Sequence, residues 1–217
     1  MHLKRNNMKN FWTVPRTGTK YLAVASHDKG TSIPLIIITR DILKLVRTKK
    51  ELRKALKEKQ VLINHKHTLD VNYPVSLFDI LTFPSTKKNL KAVFSEKGKM
   101  IFKEVPNKEA ETKIFKVIGK KVLNGGKLQV NLTNGKNILT KEKLNAGDSV
   151  IFDLHTNKIV KIVHLEKGKS AFVIKGKHIG KHGKISEIIE RGGKHLAKIS
   201  VNDERINVWT KNLIVNE

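Results

Sequence analysis

Turn-forming residues recur at short intervals along the second half of this chain, and that spacing constrains its fold more than any other feature. Asn134-Gly135 is typical of a two-residue type I′ hairpin turn, whose two central positions both need a positive φ. Further turn signals lie at residues 96–99, 124–126, 145–148 and 157–158, and apolar runs of strand length separate them. We therefore predict that residues 86–166 form a central, barrel-like β domain, with strands at 90–94, 100–105, 114–121, 127–132, 136–139, 149–154 and 159–165.

The same pattern continues to the end of the chain. Residues 167–217 contain predicted strands at 171–174, 185–189, 197–201 and 206–208, with turn signals at Gly192-Gly193 and Asn202-Asp203. Short strands at this spacing fit a small SH3-like barrel. The fold class predicted for the whole chain is mainly β, with one small α+β domain ahead of the two β domains.

That α+β domain is predicted within residues 33–85. Apolar residues follow a helical period from 35 to 47, and a second helix is predicted from residue 48 to about residue 59. Thr48 and Glu51 form a capping box, in which the hydroxyl accepts a hydrogen bond from an unpaired N–H and the carboxylate reaches back. Strands are predicted at 60–67 and 79–83, with a turn around 70–74 between them.

Residues 1–32 show no clear period and carry basic residues throughout. We predict an extended basic arm that is disordered alone and orders on its partner, with a short strand near residues 21–25. Phe11 and Trp12 lie in this arm. Their rings either stack on exposed bases or pack on the body of the protein.

Positive charge is spread over the whole chain. Lys and Arg number 44 against 19 Asp and Glu, which gives a net charge of +25 at pH 7, and each predicted domain has an excess of positive charge. A field of this sign predicts a polyanionic partner, either nucleic acid or an anionic membrane surface. The sequence has only one short basic amphipathic helix and no apolar run long enough to span a bilayer, so nucleic acid is the favoured interpretation.

The second helix carries part of this charge on one side. That side either faces solvent or binds an anion, and it consists of Lys50, Arg53, Lys54 and Lys57.

Glycine and lysine alternate in the segment K-G-K-H-I-G-K-H-G-K-I at residues 175–185. Glycine lets a backbone turn with positive φ and approach another molecule closely, and lysine puts charge at the same place. Residues 167–184 contain no carboxylate, whereas a loop that only faces solvent usually mixes both signs. We therefore predict a hairpin whose turns are formed by the glycines and whose lysines contact a phosphate backbone. The turn glycines are Gly176, Gly180 and Gly183, and the lysines are Lys175, Lys177, Lys181 and Lys184.

The sequence shows no catalytic or metal-binding signature. The pairs His65-x-His67 and His178-x3-His182 have no cysteine or carboxylate cluster to complete a ligand set. Phosphate-loop and dinucleotide fingerprints are absent. The absence of cysteine also excludes disulfides, and the polar N-terminus does not resemble a secretory signal. We expect a cytoplasmic protein with no metal, no cofactor and no enzymatic activity.

Several segments together resemble the S4e family of small-subunit ribosomal proteins from archaea and eukaryotes, over nearly the whole chain. They are H-L-K-R at 2–5, N-F-W-x-V-P-R at 10–16, S-I-P-L-I-I-I-x-R-D-I-L at 32–43, V-L-I at 61–63 and Y-P-V-x-L-F-D-I at 73–80. The glycine-lysine segment is similar to the family's C-terminal KOW motif. The resemblance implies an arm at 1–32, an S4-type RNA-binding domain at 33–85, a central β domain at 86–166 and a KOW domain with an SH3-like barrel at 167–217.

The resemblance also implies a structural constituent of the small ribosomal subunit, located in ribosomes. Its expected partners are small-subunit ribosomal RNA and neighbouring ribosomal proteins, with no membrane and no small-molecule substrate. Outside the glycine-lysine segment, whose four lysines are also implied, the RNA-binding residues are His2, Lys4, Arg5, Trp12, Arg40, Lys44, Lys49, Lys50, Arg53, Lys54 and Lys66. Lys57 is also predicted to bind RNA, because it lies on the cationic side of the second helix.

One departure from the family lies in the strand turn after residue 63. The family usually has a glycine there, whereas this chain reads Asn64-His65-Lys66. His65 is therefore expected either to adopt a left-handed conformation or to belong to a different type of turn.

Two other functions stay open at this point. A transcription-elongation or translation factor can use a KOW barrel to contact protein and nucleic acid, but it would leave the ribosome during its cycle. An RNA-modifying enzyme is the other, since S4-type domains also occur attached to pseudouridine synthases. No motif of a catalytic domain is recognisable in the rest of the chain.

Overall fold

The computed structural model describes residues 2–123, 128–140, 142–201 and 204–216, and the chain divides into two compact units. The N-terminal unit is Met1–Glu111 and the C-terminal unit is Thr112–Glu217. Both are built mainly from short antiparallel strands, which confirms the predicted mainly β class.

The N-terminal unit combines three small sheets with short helices. Its strands are β1 (Leu3–Lys4), β2 (Tyr21–Leu22), β3 (Ile33–Pro34), β4 (Leu62–Ile63), β5 (Pro74–Val75), β6 (Ile80–Phe83), β7 (Lys88–Phe94) and β8 (Met100–Glu104). Strand β1 pairs with β2, β3 pairs with β5, and the other four form a sheet in the order β4-β6-β7-β8. Its helices are α1 (Leu35–Ile37), a π-helix that continues it (Ile38–Ile42), α2 (Lys49–Lys57) and α3 (Asn107–Ala110).

The first helical segment ends five residues earlier than its apolar pattern predicts. The residues from Leu35 to Ile38 are almost completely buried, so this part of the pattern does mark the core. Beyond Ile42 the pattern fails, because Lys44 adopts a left-handed φ of 54° and Leu45 is 56% exposed. The predicted helix over residues 35–47 is therefore wrong in its last turn.

The strand predicted at 60–67 is also shorter than expected, because β4 ends at Ile63. Asn64 and His65 have φ values of 50° and 60°, and these two left-handed residues turn the chain sharply. Lys66 then bridges back to Ile63. The left-handed conformation considered for His65 is the one that the structure contains.

The domain boundary predicted after residue 85 does not coincide with a structural boundary. Strands β6 and β7 lie on either side of it and are hydrogen-bonded neighbours, with Ile80 opposite Lys91 and Leu81 opposite Leu90. The β7–β8 hairpin predicted to open the central domain thus belongs to the N-terminal unit.

The N-terminal segment packs against that hairpin rather than forming an independent arm. Met100 N donates to Phe11 O at 2.8 Å, and Lys99 Nζ donates to Asn10 O at 2.6 Å. Met8 and Trp12 are buried. The prediction that residues 1–32 form an extended arm that is disordered alone is corrected accordingly, although the short strand expected near residues 21–25 is present as β2.

The C-terminal unit contains two five-stranded antiparallel sheets. Its strands are β9 (Thr112–Val122), β10 (Leu128–Leu132), β11 (Asn137–Thr140), β12 (Ser149–Asp153), β13 (Ile159–Val163), β14 (Ser170–Val173), β15 (His182–Arg191), β16 (Lys194–Val201), β17 (Glu204–Trp209) and β18 (Leu213–Asn216). The first sheet has the order β11-β10-β9-β12-β13 and the second β17-β16-β15-β14-β18. Strand β18 had no counterpart among the predicted strands.

Two of the predicted turns have the expected backbone. Asn134 and Gly135 have φ values of 64° and 73°, and Gly192 and Gly193 have values of 57° and 68°, so all four residues have the predicted positive φ. Only Gly192-Gly193 is a two-residue turn, since Arg191 pairs with Lys194, whereas the first hairpin turns through the three-residue 3-10 segment Thr133–Gly135. The turn signals at residues 124–126 and 202–203 lie outside the described residues.

The boundary predicted after residue 166 separates the two sheets, but the sheets pack as one unit. Val163 of the first sheet belongs to the apolar cluster of the second, together with Val173 and Ile199. Ser149 Oγ accepts a hydrogen bond from Val215 N at 2.9 Å, which links β12 to β18.

Candidate nucleic-acid interface

Helix α2 presents the cationic side that its sequence predicts. Glu51 N donates to Thr48 Oγ1 at 3.2 Å, and Arg47 N donates to Glu51 Oε2 at 2.8 Å, so the carboxylate caps one residue earlier than in the standard capping box. The bond from Arg47 N lowers the pKa of Glu51. Leu52 and Leu56 are fully buried, which turns the opposite side of the helix to solvent. The exposed cations are Lys49, Lys50, Arg53, Lys54 and Lys57.

Lys66 lies beside the end of this helix. His67 Nε2 donates to Leu56 O at 2.7 Å, which holds the segment that carries Lys66 against the last turn of α2. His65 Nε2 donates to Ala110 O at 2.8 Å, so the two histidines of the His65-x-His67 pair bond to different carbonyls. Within the described residues, no three His, Cys, Asp or Glu side chains are placed to hold a metal ion.

Arg40 and Lys44 precede α2 and differ in their availability. Arg40 donates from Nε and Nη2 to the two carboxylate oxygens of Asp41, each at 2.9 Å, and this hydrogen bonding raises the pKa of Arg40. Its charge is therefore partly neutralised within the chain. Lys44 is exposed and has no such carboxylate partner among the described residues.

The predicted contacts of the N-terminal segment separate into two groups. His2 and Lys4 are exposed, and the His2 ring lies 5.2 Å from the ring of Tyr21. Arg5 uses its guanidinium N–H groups for hydrogen bonds within the chain. Its Nη1 donates to Pro15 O and its Nε donates to Thr19 O, both at 2.7 Å.

Trp12 is a correction to the predicted RNA-binding set. Its side chain is 3% exposed, and it packs in the core of the N-terminal unit. A base cannot stack on a ring that the protein already covers. Of the two interpretations of this residue, packing on the body of the protein is the one that the structure supports.

The glycine-lysine segment connects β14 and β15 as a hairpin. Gly176 and Gly180 have φ values of 99° and 88°, so both occupy turn conformations that favour glycine. Lys175 and Lys177 are exposed on this turn. Lys181 Nζ lies 3.6 Å from Glu204 Oε2, so its charge is paired.

Gly183 does not lie in a turn, which corrects its predicted role. It lies in β15, and a Cβ atom there would be 2.1 Å from Ser200 O of the neighbouring strand. The glycine is required for the close approach of β15 and β16. Lys184 follows it and is exposed.

Lys116 belongs to the interior of the C-terminal unit rather than to its surface. The residue is 5% exposed, and its Nζ donates to the backbone carbonyls of Thr210 and Leu213, the latter at 2.6 Å. Burial, together with the charge of Lys175, lowers the pKa of Lys116 to about 8. This buried cation links the two sheets.

Two exposed cations near the hairpin were missing from the predicted set. Lys169 lies at the base of the hairpin, since Ile185 N donates to its carbonyl at 2.9 Å. Lys169 lies within the carboxylate-free run of residues 167–184, so the sequence did carry a signal that could have identified it as a candidate RNA contact. Arg205 lies directly opposite Ser200, and only the strand register brings it there, so the sequence carried no signal for it.

No helix in the described part of the chain is both long enough and apolar enough to cross a lipid bilayer.

Comparisons with known proteins agree along nearly the whole chain. The model of the ribosomal family S4e matches residues 86–159. The small ribosomal subunit protein eS4 of Nanoarchaeum equitans is 31% identical, and the alignment covers 98% of this chain and 94% of that protein. The protein of the same name from Methanocella arvoryzae is 34% identical over 86% of this chain and 80% of its own length. The crystal structure of the 30S ribosomal protein S4e from Thermoplasma acidophilum has the same fold, with a TM-score of 0.74 at 23% identity, over 86% of this chain and 95% of that one.

Proposed function

Because this chain belongs to the S4e family of ribosomal proteins, we propose that it is a structural constituent of the small ribosomal subunit that binds ribosomal RNA through its exposed basic surfaces. The observation that carries the proposal is the likeness to small-subunit proteins eS4 over almost the full length of the chain. The net charge of +25 supplies the attraction that a polyanionic partner requires.

Within this proposal the predicted modules receive their family roles. The S4-type RNA-binding domain, predicted over residues 33–85, has α2 as its basic helix. The central domain, predicted over residues 86–166, comprises the five-stranded sheet β11-β10-β9-β12-β13, while the β7–β8 hairpin stays with the N-terminal unit. Residues 167–217 form the KOW domain, and the five-stranded sheet β17-β16-β15-β14-β18 supports its assignment as an SH3-like barrel. The protein acts in cytoplasmic ribosomes as a non-enzymatic component, with ribosomal RNA and neighbouring ribosomal proteins as partners.

Two surfaces of this chain are proposed to bind phosphate groups. The first, which we name the helix surface, consists of Lys44, Lys49, Lys50, Arg53, Lys54, Lys57 and Lys66. The second, which we name the hairpin surface, consists of Lys175, Lys177, Lys181 and Lys184. His2 and Lys4 add exposed positions on the N-terminal segment. Arg5 and Arg40 contribute less because their donors are engaged within the chain, and Lys54 and Lys181 contribute less because they are ion-paired with Glu58 and Glu204.

The alternative of a transcription-elongation or translation factor is not favoured. The relatives named above are called small ribosomal subunit proteins, and their likeness covers the N-terminal unit as well as the β domains.

Binding of the full chain to small-subunit ribosomal RNA at several salt concentrations tests the proposal. Each phosphate contact adds roughly 0.7 to 0.9 to the slope of log affinity against log salt. Lys57→Ala is therefore expected to reduce the slope by about that amount. Lys88→Ala is the matched control, since Lys88 lies 3.9 Å from Glu104 in an ion pair. An affinity independent of salt would contradict the proposal.

Sedimentation of a native lysate gives the second arm of the test. We expect stoichiometric recovery of the protein with the small subunit that persists at moderate salt. Recovery with RNA polymerase, or mostly as free protein, would contradict a structural ribosomal role. It would favour the alternative of a transcription-elongation or translation factor.

A further inference from the structure

A row of polar residues crosses the whole second sheet of the C-terminal unit. The strand register places them side by side, one on each strand, with Ser170 opposite both Asn216 and Lys184, Lys184 opposite Ser200, and Ser200 opposite Arg205. We name this row the polar row, and its order across the sheet is Asn216, Ser170, Lys184, Ser200 and Arg205.

The polar row lies on the solvent face of the sheet. Directly opposed residues share one face, and the residue before or after each of them points to the other face. In every strand of this sheet that adjacent residue belongs to the apolar cluster of the unit and is at most 6% exposed. These core residues are Val215, Ala171, Ile185, Ile199 and Ile206.

The spacing of the row suits an extended chain laid across the strands. Adjacent strands lie about 4.8 Å apart, so the five residues span about 19 Å, and Lys184 and Arg205 lie about 10 Å apart with Ser200 between them. The missing side chain at Gly183 allows β15 to approach Ser200 O closely. This approach keeps Lys184 directly beside the small serine.

The two cations of the row have no neutralising partner in the part of the chain that the structure describes. Neither Lys184 nor Arg205 has a carboxylate within ion-pair distance among the described residues. Neighbouring cations on this sheet differ, because Lys181 pairs with Glu204 at 3.6 Å and Lys198 pairs with Glu187 at 2.8 Å. The charges of the polar row therefore remain available to an external anion.

From these observations we propose that the polar row binds one continuous run of ribosomal RNA backbone, an inference that rests on the proposed function and extends it beyond the hairpin surface. Lys184 and Arg205 bind phosphates, while the hydroxyls of Ser170 and Ser200 and the amide of Asn216 bond to phosphate oxygens and 2′-hydroxyls. Side chains of these types are among the groups that hydrogen-bond to phosphate and sugar oxygens of nucleic acids. The small serines let the RNA backbone lie close to the sheet between the two cations.

A tethered cleavage probe tests this placement in the assembled subunit. The chain contains no cysteine, so Ser200→Cys provides a unique attachment point for an iron chelate that generates hydroxyl radicals. In reconstituted small subunits we expect cleavage of ribosomal RNA at one local site. Arg191→Cys is the control, because it lies on the same strand seven residues from Lys184, or about 23 Å away. Its probe should cleave a different site or none.

Affinity measurements give an independent readout with variants at exposed positions. Lys184→Ala and Arg205→Ala should each reduce the salt slope by roughly 0.7 to 0.9, and Arg191→Ala should leave it unchanged although it removes the same charge. Ser200→Ile changes no charge and suits a strand, but its bulk should lower the affinity several-fold by holding the backbone off the sheet.

The outcomes separate this inference from the proposed function. In one outcome, the Ser200→Cys chain enters the subunit but its probe cleaves no RNA or cleaves only a neighbouring protein. The polar row is then a protein contact or a solvated face, so this inference is wrong while the ribosomal role stands. Equal salt slopes for Lys184→Ala, Arg205→Ala and wild type also overturn it. If the unmodified chain fails to enter the subunit, the proposed function fails and this inference fails with it.

Discussion

Lys116 places a titratable charge inside the C-terminal unit, and this makes the stability of the unit depend on pH. Burial, and secondarily repulsion from Lys175, lowers its pKa from 10.5 to about 8. An unfolded lysine therefore holds its proton more tightly than the folded one does. Protonation opposes folding, so the free energy of unfolding must rise as the pH increases through the range from about 8 to about 10.5.

The size of the effect follows from these two pKa values. At about 1.4 kcal/mol per pKa unit, the full gain is about 3 kcal/mol, reached above the unfolded pKa. Between about pH 7 and about pH 9 the same linkage gives a gain of about 1 kcal/mol. This part of the range is accessible to an ordinary denaturation experiment.

Comparison with Lys116→Met isolates this contribution from the titration of other groups. Methionine has a similar length and no charge, but it leaves the carbonyls of Thr210 and Leu213 without their donor. The variant is therefore less stable at high pH. The difference between wild type and variant should widen by about 1 kcal/mol from about pH 7 to about pH 9.

Urea unfolding followed by tryptophan fluorescence provides the measurement. The chain has two tryptophans, so a Trp12→Phe background leaves Trp209 of β17 as the single reporter of the C-terminal unit. Lys121→Met, at an exposed position on the same strand as Lys116, is the control and should show a constant difference from wild type. A Lys116→Met difference that stays constant or narrows with rising pH would refute the reasoning.

Two further predictions concern single side chains. Gly183→Ala should destabilise the C-terminal unit by about 3 kcal/mol, because its Cβ would lie 2.1 Å from Ser200 O and force β15 and β16 apart, and urea unfolding of the full chain will measure this. Thr48→Ala should lower the free energy of unfolding by about 1 kcal/mol, because Glu51 N loses its acceptor at the start of α2. Faster amide hydrogen exchange in that helix will reveal this loss of stability.

The sequence predicted best those features that depend on neighbouring residues. The cap formed by Thr48 and Glu51 and the positive φ values of Asn134 and Gly135 need only a few residues of context, and both are present. The buried and exposed sides of α2 follow from its own period in the same way. Strand positions in the C-terminal unit were predicted well, because a turn signal in the sequence marks where most of these strands begin or end.

Features set by distant residues were predicted less well. Trp12 was assigned to RNA because the sequence around it is basic, but contacts made nearly 90 residues away along the chain, such as the bond from Met100 N to Phe11 O, bury this segment. The boundary after residue 85 failed because a loop there joins two strands of one sheet. Gly183 was read as a turn residue, although its constraint comes from Ser200 of another strand.

The candidate site shows the same division. Exposed lysines on α2 and on the glycine-lysine hairpin could be named from local composition, since amphipathic and carboxylate-free runs are visible in one segment. The polar row could not, because Lys184 and Arg205 are far apart in sequence and meet only through two strand registers. A shift of one residue in either register would place one of them in the core.

The charge of this chain implies that salt affects its folding and its binding with opposite signs. A net charge of +25 is self-repulsive, and exposed pairs such as Lys181 with Glu204 offset little of it. Added salt screens that repulsion and should raise the melting temperature of the free protein. The same salt weakens RNA binding, because releasing counterions from the phosphates is entropically less favourable when the bulk salt concentration is high. A loss of RNA binding between about 50 and 200 mM salt with an unchanged or higher melting temperature would therefore assign the loss to the interface. A parallel fall of both would mean that the fold, and not the phosphate contacts, limits binding.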